Sequence, residues 1–118
     1  MYKLRSLKVW GAASRLAREA YRLTLTPPLD RHFSLADQIR RAAISIPANL
    51  AEGYGLGTTP QLLRCTRIAL GSAYELQIHL ELVRDLELVE TGKSETAERL
   101  ADETIRMLIG MLKGLGRK

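Results

Sequence analysis

The sequence predicts an all-α protein: an antiparallel up-down-up-down four-helix bundle made by one domain over residues 1–118, with the second helix kinked at Pro47. Three observations carry that expectation. Apolar residues recur at three- and four-residue steps along most of the chain, the period of helices with one buried face. Prolines and glycines concentrate near residues 26–30, 55–60 and 90–93, which leaves four segments joined by short connections. Aromatics make up only 5% of a chain that is 46% hydrophobic, so the core must be built from Leu, Ala and Ile, which suit helix-on-helix packing better than a sandwich or barrel. No strand alternation, repeat or low-complexity tract competes with this pattern.

The first helix is expected over residues 6–25, opening at Ser6. Trp10, Ala13, Leu16, Ala17, Ala20 and Tyr21 form its apolar stripe, while Arg15, Arg18 and Arg22 line another face. Two consecutive prolines, Pro27 and Pro28, cannot continue a helix and restrict the residues before them, so the chain turns there. Ser34 is the expected N-cap of the second helix, with Asp37 completing a variant of the capping box.

That second helix organises the chain. Ile39, Ala43, Ile46, Leu50 and Gly53 fall on one face, and Arg41, Ser45, Asn49 and Glu52 follow the same steps beside them. Pro47 offers no N–H to the carbonyl of Ala43 and its ring crowds that carbonyl, so a kink is expected, with Ser45 and Asn49 positioned to satisfy the freed backbone. Glycines at 55 and 57 suit a left-handed C-terminal cap. Thr59 and Pro60 read as N-cap and first residue of the third helix. No breaker follows until about Gly92, so this helix is the longest, on the order of 40 Å at 1.5 Å per residue. Leu62, Cys65, Ile68, Ala69, Ser72, Leu76, His79, Leu80, Val83 and Leu86 give it a broad inward face. Gly71 in its interior costs about 1 kcal/mol relative to Ala, for which close approach of a neighbouring helix would compensate. Residues 90–93 form a turn and Ser94 caps the fourth helix, lined by Ala97, Leu100, Ala101, Thr104, Leu108, Met111, Leu112 and Leu115, with residues 114–118 fraying.

The glycine turn folds the second and third helices antiparallel. The row Arg41, Ser45, Asn49 and Glu52 should therefore confront Ser72, Glu75 and His79 in a buried polar network that fixes helix register. Catalytic chemistry finds little support. A di-iron bundle needs Glu-x-x-His motifs, but Glu75 and His79 are four apart and His32 sits in a loop. Cys65 reads as a small core residue with no sequence-level activator. The glycines at 53, 55 and 57 end a helix rather than cradle a phosphate after a strand. No metal, cofactor or catalytic residue is expected. The lone cysteine, the lack of an apolar run long enough to span a bilayer and the lack of a signal-peptide core in the first ten residues point to a cytoplasmic protein with no membrane attachment.

Charge points to a partner. The net charge is +5, and the residues up to Arg67 hold eleven basic side chains against four acids. Most of the cations are arginine, whose planar fork suits phosphate and carboxylate. Arg15, Arg18, Arg22, Arg40, Arg64 and Arg67 are the candidate phosphate contacts, with Arg41 divided between that role and the buried network. RNA or DNA is the expected partner, read with little sequence preference because few aromatics exist for base stacking. A scaffold that docks an acidic protein surface is the alternative.

Residues 45–53, SIPANLAEG, and 69–76, ALGSAYEL, together with residues 38–42, resemble the four-helix-bundle proteins encoded in intervening sequences of bacterial 23S rRNA genes, relatives of the accessory variability protein of diversity-generating retroelements. The resemblance runs from about Trp10 to the fourth helix. It implies an up-down-up-down bundle assembled as a homopentameric ring with no enzymatic activity. For the retroelement relatives it implies binding of nucleic acid and of a reverse transcriptase through basic surfaces.

Overall fold

Periodicity becomes four long helices in the computed structural model, which describes residues 4, 5 and 7–117. They are α1 (Lys8–Leu23), α2 (Phe33–Leu56), α3 (Thr59–Asp85) and α4 (Glu95–Gly116), with a single 3₁₀ turn at Leu29–Arg31 between the first two. Each helix packs on the next, and α1 also packs on α4, so the four form a closed square with α1 diagonal to α3. The result is a rod of 45 × 21 × 20 Å. Leu16, Ile39, Ile46, Leu50, Leu76, Leu80, Leu100 and Leu108, all fully buried, fill its axis. No strand occurs among the described residues.

The helix ends differ from the sequence expectations in instructive ways. α1 is shorter than expected at its C-terminus, since the hydroxyls of Thr24 and Thr26 donate to the carbonyls of Tyr21 and Leu23 and turn the chain before the prolines. The Ser6 start lies outside the described residues. α2 begins one residue before Ser34, with His32 at the N-cap and no side-chain cap, so the proposed Ser34–Asp37 box is not formed. Asp37 instead accepts from Arg41. At the other end the glycine reading holds, with Gly57 taking φ +80° immediately after Leu56. The N-cap of α3 is Thr58, one residue earlier than expected. Its hydroxyl accepts from the Gln61 N–H at 3.4 Å and donates to the Gln61 side chain at 2.8 Å, leaving Pro60 in the first turn.

α3 is the longest helix but ends at Asp85, well before Gly92. The Leu88 N–H reaches the Val83 carbonyl and the Glu87 N–H reaches that of Arg84, the two bonds of a Schellman motif. Glu87 takes the left-handed position, at φ +54°, where a glycine would signal the stop. Burial of Leu88 and Val89 in the core holds the chain there, a tertiary effect invisible to local propensity. Leu86, expected to face inward, is 61% exposed for the same reason, because the helix has already ended. Ser94 occupies the N-cap of α4 as expected, but its hydroxyl donates to the Glu98 carboxylate at 2.8 Å rather than capping a backbone N–H.

α2 passes through Pro47 without interruption. The close approach expected at Gly71 occurs at Gly53 instead. A Cβ on Gly53 would lie 3.0 Å from Cys65 Cβ and 3.2 Å from Leu62 Cα, so the missing side chain lets α2 and α3 touch near their shared turn. Gly71 has nothing within 4 Å of that position.

Candidate nucleic-acid interface

The square arrangement divides the six candidate arginines among three places. Arg15, Arg18 and Arg22 are exposed along the outer face of α1, in line with exposed Lys8. From Lys8 to Arg22 this ridge spans about 21 Å at 1.5 Å per residue. Its acid is Glu19, whose carboxylate lies 3.4 Å from the Arg22 guanidinium, both side chains well exposed. Such a surface pair is worth little and competes weakly with an incoming phosphate. Arg64 and Arg67 are also exposed, but on α3, across the diagonal from this ridge.

Arg40 belongs to neither surface. It is half-buried between α1 and α2, donating from Nε to Thr24 Oγ1 at 2.8 Å with its guanidinium 5.0 Å from the centre of the Tyr21 ring. Thr24 and Tyr21 use its planar charge to fasten the end of α1 to α2, a cation–π and hydrogen-bond clamp rather than a presented phosphate contact. Tyr21, expected in the apolar stripe, is 40% exposed and serves as the platform for this arginine. Nothing local in the sequence signals a clamp made by residues sixteen and nineteen positions apart.

The polar network between α2 and α3 is smaller than the sequence row. Ser45 and Ser72 share a hydroxyl–hydroxyl bond of 2.8 Å across the two helices. Asn49 Nδ2 donates to Ser45 Oγ and to the Ser45 carbonyl, both at 2.9 Å. The side chain therefore acts on the carbonyl of Ser45, not on that of Ala43, which Pro47 deprives of its donor. Arg41 is outside the network: its side chain is 80% exposed and paired with Asp37 at 3.0 Å. Glu75 is outside it too, 54% exposed and 3.3 Å from His79 on its own helix. Both lie one helical step too far round to reach the seam. Glu52 meets α3 differently, accepting a 3.5 Å bond from the Cys65 thiol.

That thiol is fully buried. Burial first, then the Glu52 hydrogen bond and charge, push its pKa up, which keeps it protonated and unreactive at neutral pH. His79 is mostly buried beside the start of α2, and with Phe33 and Leu82 it lines an open groove of about 460 Å³. Among the described residues no three His, Cys, Asp or Glu side chains gather as metal ligands. No helix is long and apolar enough to cross a membrane.

The sequence reading missed one surface altogether. Gly71, Tyr74, Ile78 and Leu82 follow one another on the outer side of α3, all exposed, although Ile78 and Leu82 are 55% and 43% accessible hydrophobics. The three- and four-residue spacing of this second stripe is visible in the sequence. It was hidden there by the inward stripe that shares the helix. Ile68, expected to face inward, is 40% exposed beside it.

Comparison with known proteins agrees with this architecture. The model of the family described as 23S rRNA-intervening sequence protein matches residues 5–110. A crystal structure from Bacteroides thetaiotaomicron VPI-5482, described as a protein with unknown function from the S23 ribosomal protein family, is similar with a TM-score of 0.79. The two share 24% identity, and the match covers 89% of this chain and 98% of that one. No curated protein matches the sequence.

Proposed function

The chain belongs to the 23S rRNA-intervening sequence protein family, and on that premise we propose that it is a non-enzymatic, cytoplasmic, self-assembling protein that binds the phosphate backbone of RNA or DNA along the outer face of α1. The observation that carries this reading is the exposed line of Lys8, Arg15, Arg18 and Arg22, interrupted by one weakly paired acid. Its axial span of about 21 Å is that of several consecutive phosphates, and arginine forks bind phosphate oxygens in pairs. Base readout plays little part, since no exposed aromatic stands on this ridge apart from Tyr21, which Arg40 covers. The resemblance described above supports assembly as a ring of five, and for its retroelement relatives a reverse transcriptase partner.

Filter binding with single-stranded RNA and duplex DNA probes tests the proposal. Retention should fall steeply with salt, by about 0.9 log units of affinity per log unit of salt for each neutralised phosphate on duplex DNA. Arg15→Glu with Arg18→Glu should abolish retention, whereas Arg40→Gln should loosen the fold before it affects binding. No retention at low salt, or retention indifferent to salt and to the α1 variants, would reject it. The exposed apolar residues of α3 favour a second reading, a scaffold that docks an acidic protein and never meets nucleic acid. A partner recovered from nuclease-treated lysate, with no filter retention, would favour that scaffold.

A further inference from the structure

α3 presents outward a line of residues that its packing within the bundle does not use. From its N-terminal end it reads Arg64, Arg67, Gly71, Tyr74, Ile78, Leu82 and Asp85, all exposed. The steps alternate near three and four, the rhythm of a seam between two shallowly crossing helices. One end is cationic, the middle apolar and the other end acidic. Neither Arg64 nor Arg67 has an ion pair among the described residues, and Asp85 has only the exposed Arg84 beside it at 3.1 Å.

A line with this polarity complements itself when reversed. With two copies of α3 antiparallel about a twofold axis near Leu76, Arg67 of each copy stands opposite Asp85 of the other. Tyr74 then faces Ile78, and Leu82 reaches the flat spot at Gly71. Parallel alignment would instead set like charges together and leave Leu82 facing Leu82 beyond the glycine. Gly71 gives independent weight to the antiparallel arrangement. A mid-helix glycine lowers helix propensity, yet nothing in its own subunit approaches within 4 Å of the missing Cβ. A facing helix from a second copy supplies the close neighbour that the subunit lacks.

We infer that the outer ridge of α3 is a self-association seam in which two copies of this chain dock antiparallel, with Arg67 and Asp85 paired at both ends and Tyr74, Ile78 and Leu82 over Gly71 between them. The inference rests on the self-assembly in the reading above and specifies one of its contacts. A twofold seam yields pairs of subunits, and it can join rings of five only two at a time.

Native mass measurement of the full chain over a dilution series tests it, using Arg67→Asp, Asp85→Arg, the double exchange and Gly71→Leu. The unaltered chain should populate even multiples of the subunit mass. Each single charge reversal should raise the concentration of half-dissociation about tenfold or more, because each pair occurs twice across the axis, and the double exchange should restore it. Gly71→Leu should dissociate the assembly while the dilute chain unfolds at an unchanged temperature. A monomer at every concentration, or an assembly whose mass ignores all four variants, overturns the seam. Filter binding of the same samples keeps the two proposals apart: retention that persists while mass ignores the α3 variants removes the seam and leaves the α1 reading intact.

Discussion

On its inner side α3 meets α2 through Gly53, Cys65 and the Ser45–Ser72 hydroxyl pair, and every apolar atom there is covered. On its outer side the same helix carries Gly71, Tyr74 and Ile78 in the open. Both sides have a glycine, a stripe of larger apolar residues and flanking polar groups. What separates them is the neighbour. The inner glycine is matched by a backbone 3.2 Å from where its Cβ would be, and the outer glycine by empty space. A glycine in a helix is therefore no evidence of close packing until the facing element is known, and an apolar stripe is no evidence of burial.

The sharpest way to break this contrast is to fill the inner glycine. Gly53→Val should destabilise the chain by about 2–3 kcal/mol, the range for overpacking against atoms that cannot retreat, read as a lower denaturant midpoint with an unchanged slope. A loss below a few tenths of a kcal/mol would mean that α2 and α3 are not in contact there. Next in size is the hydroxyl seam: Ser45→Ala should cost about 1 kcal/mol, since Ser72 and Asn49 each lose a partner. Ser72→Ala added to it should cost much less than it does alone, and strict additivity in that double-mutant cycle would deny the bond.

Filling the outer glycine should have the opposite sign. Gly71→Ala, measured at concentrations where subunits are separate, should stabilise the chain by about 0.5–1 kcal/mol through helix propensity alone. Destabilisation would reveal a neighbour inside the subunit. Smaller still, Arg41→Ala should change stability by no more than about 0.5 kcal/mol, as expected for an exposed pair with Asp37. A larger loss would return Arg41 to the buried network.

At neutral pH the least visible difference between the faces is the Cys65 proton. Its pKa is raised in the folded chain by burial and by Glu52, so the folded state holds the proton where the unfolded state releases it. The resulting stabilisation is fully present below the ordinary thiol range and is lost as pH rises through the folded pKa. Denaturant midpoints should therefore drop on the alkaline side, and Cys65→Ala should flatten that drop. An alkaline limb identical in Cys65→Ala would remove the thiol as its cause.

Much of the fold could be read from the sequence because it depends on period and punctuation. Ile39, Ile46 and Leu50 sit at the axis where their spacing puts them, and Gly57 caps α2 as a glycine at that position should. The misses share a cause. Glu87 ends α3 because Leu88 and Val89 are pulled into the core, and Arg40 faces inward because Thr24 and Tyr21 wait for it on another helix. Arg41 and Glu75 leave the polar seam because a helical row has width, and its edge residues find partners on their own helix. Local pattern carries no information about such long-range partners. The α1 ridge was legible as a row of arginines, whereas its separation from Arg64 and Arg67 required the square packing.

Only Gly57 and Thr58 separate α2 from α3, one taking the left-handed bend and the other starting the next helix with its hydroxyl. So short a joint means that the largest interhelical seam closes a very small loop, with little chain entropy lost beforehand. The α2–α3 hairpin should accordingly assemble ahead of the docking of α1 and α4, giving Ile46→Val and Leu76→Ala high φ-values and Leu16→Ala and Leu108→Ala low ones. Equal values at all four sites would mean that the tight joint has no kinetic privilege.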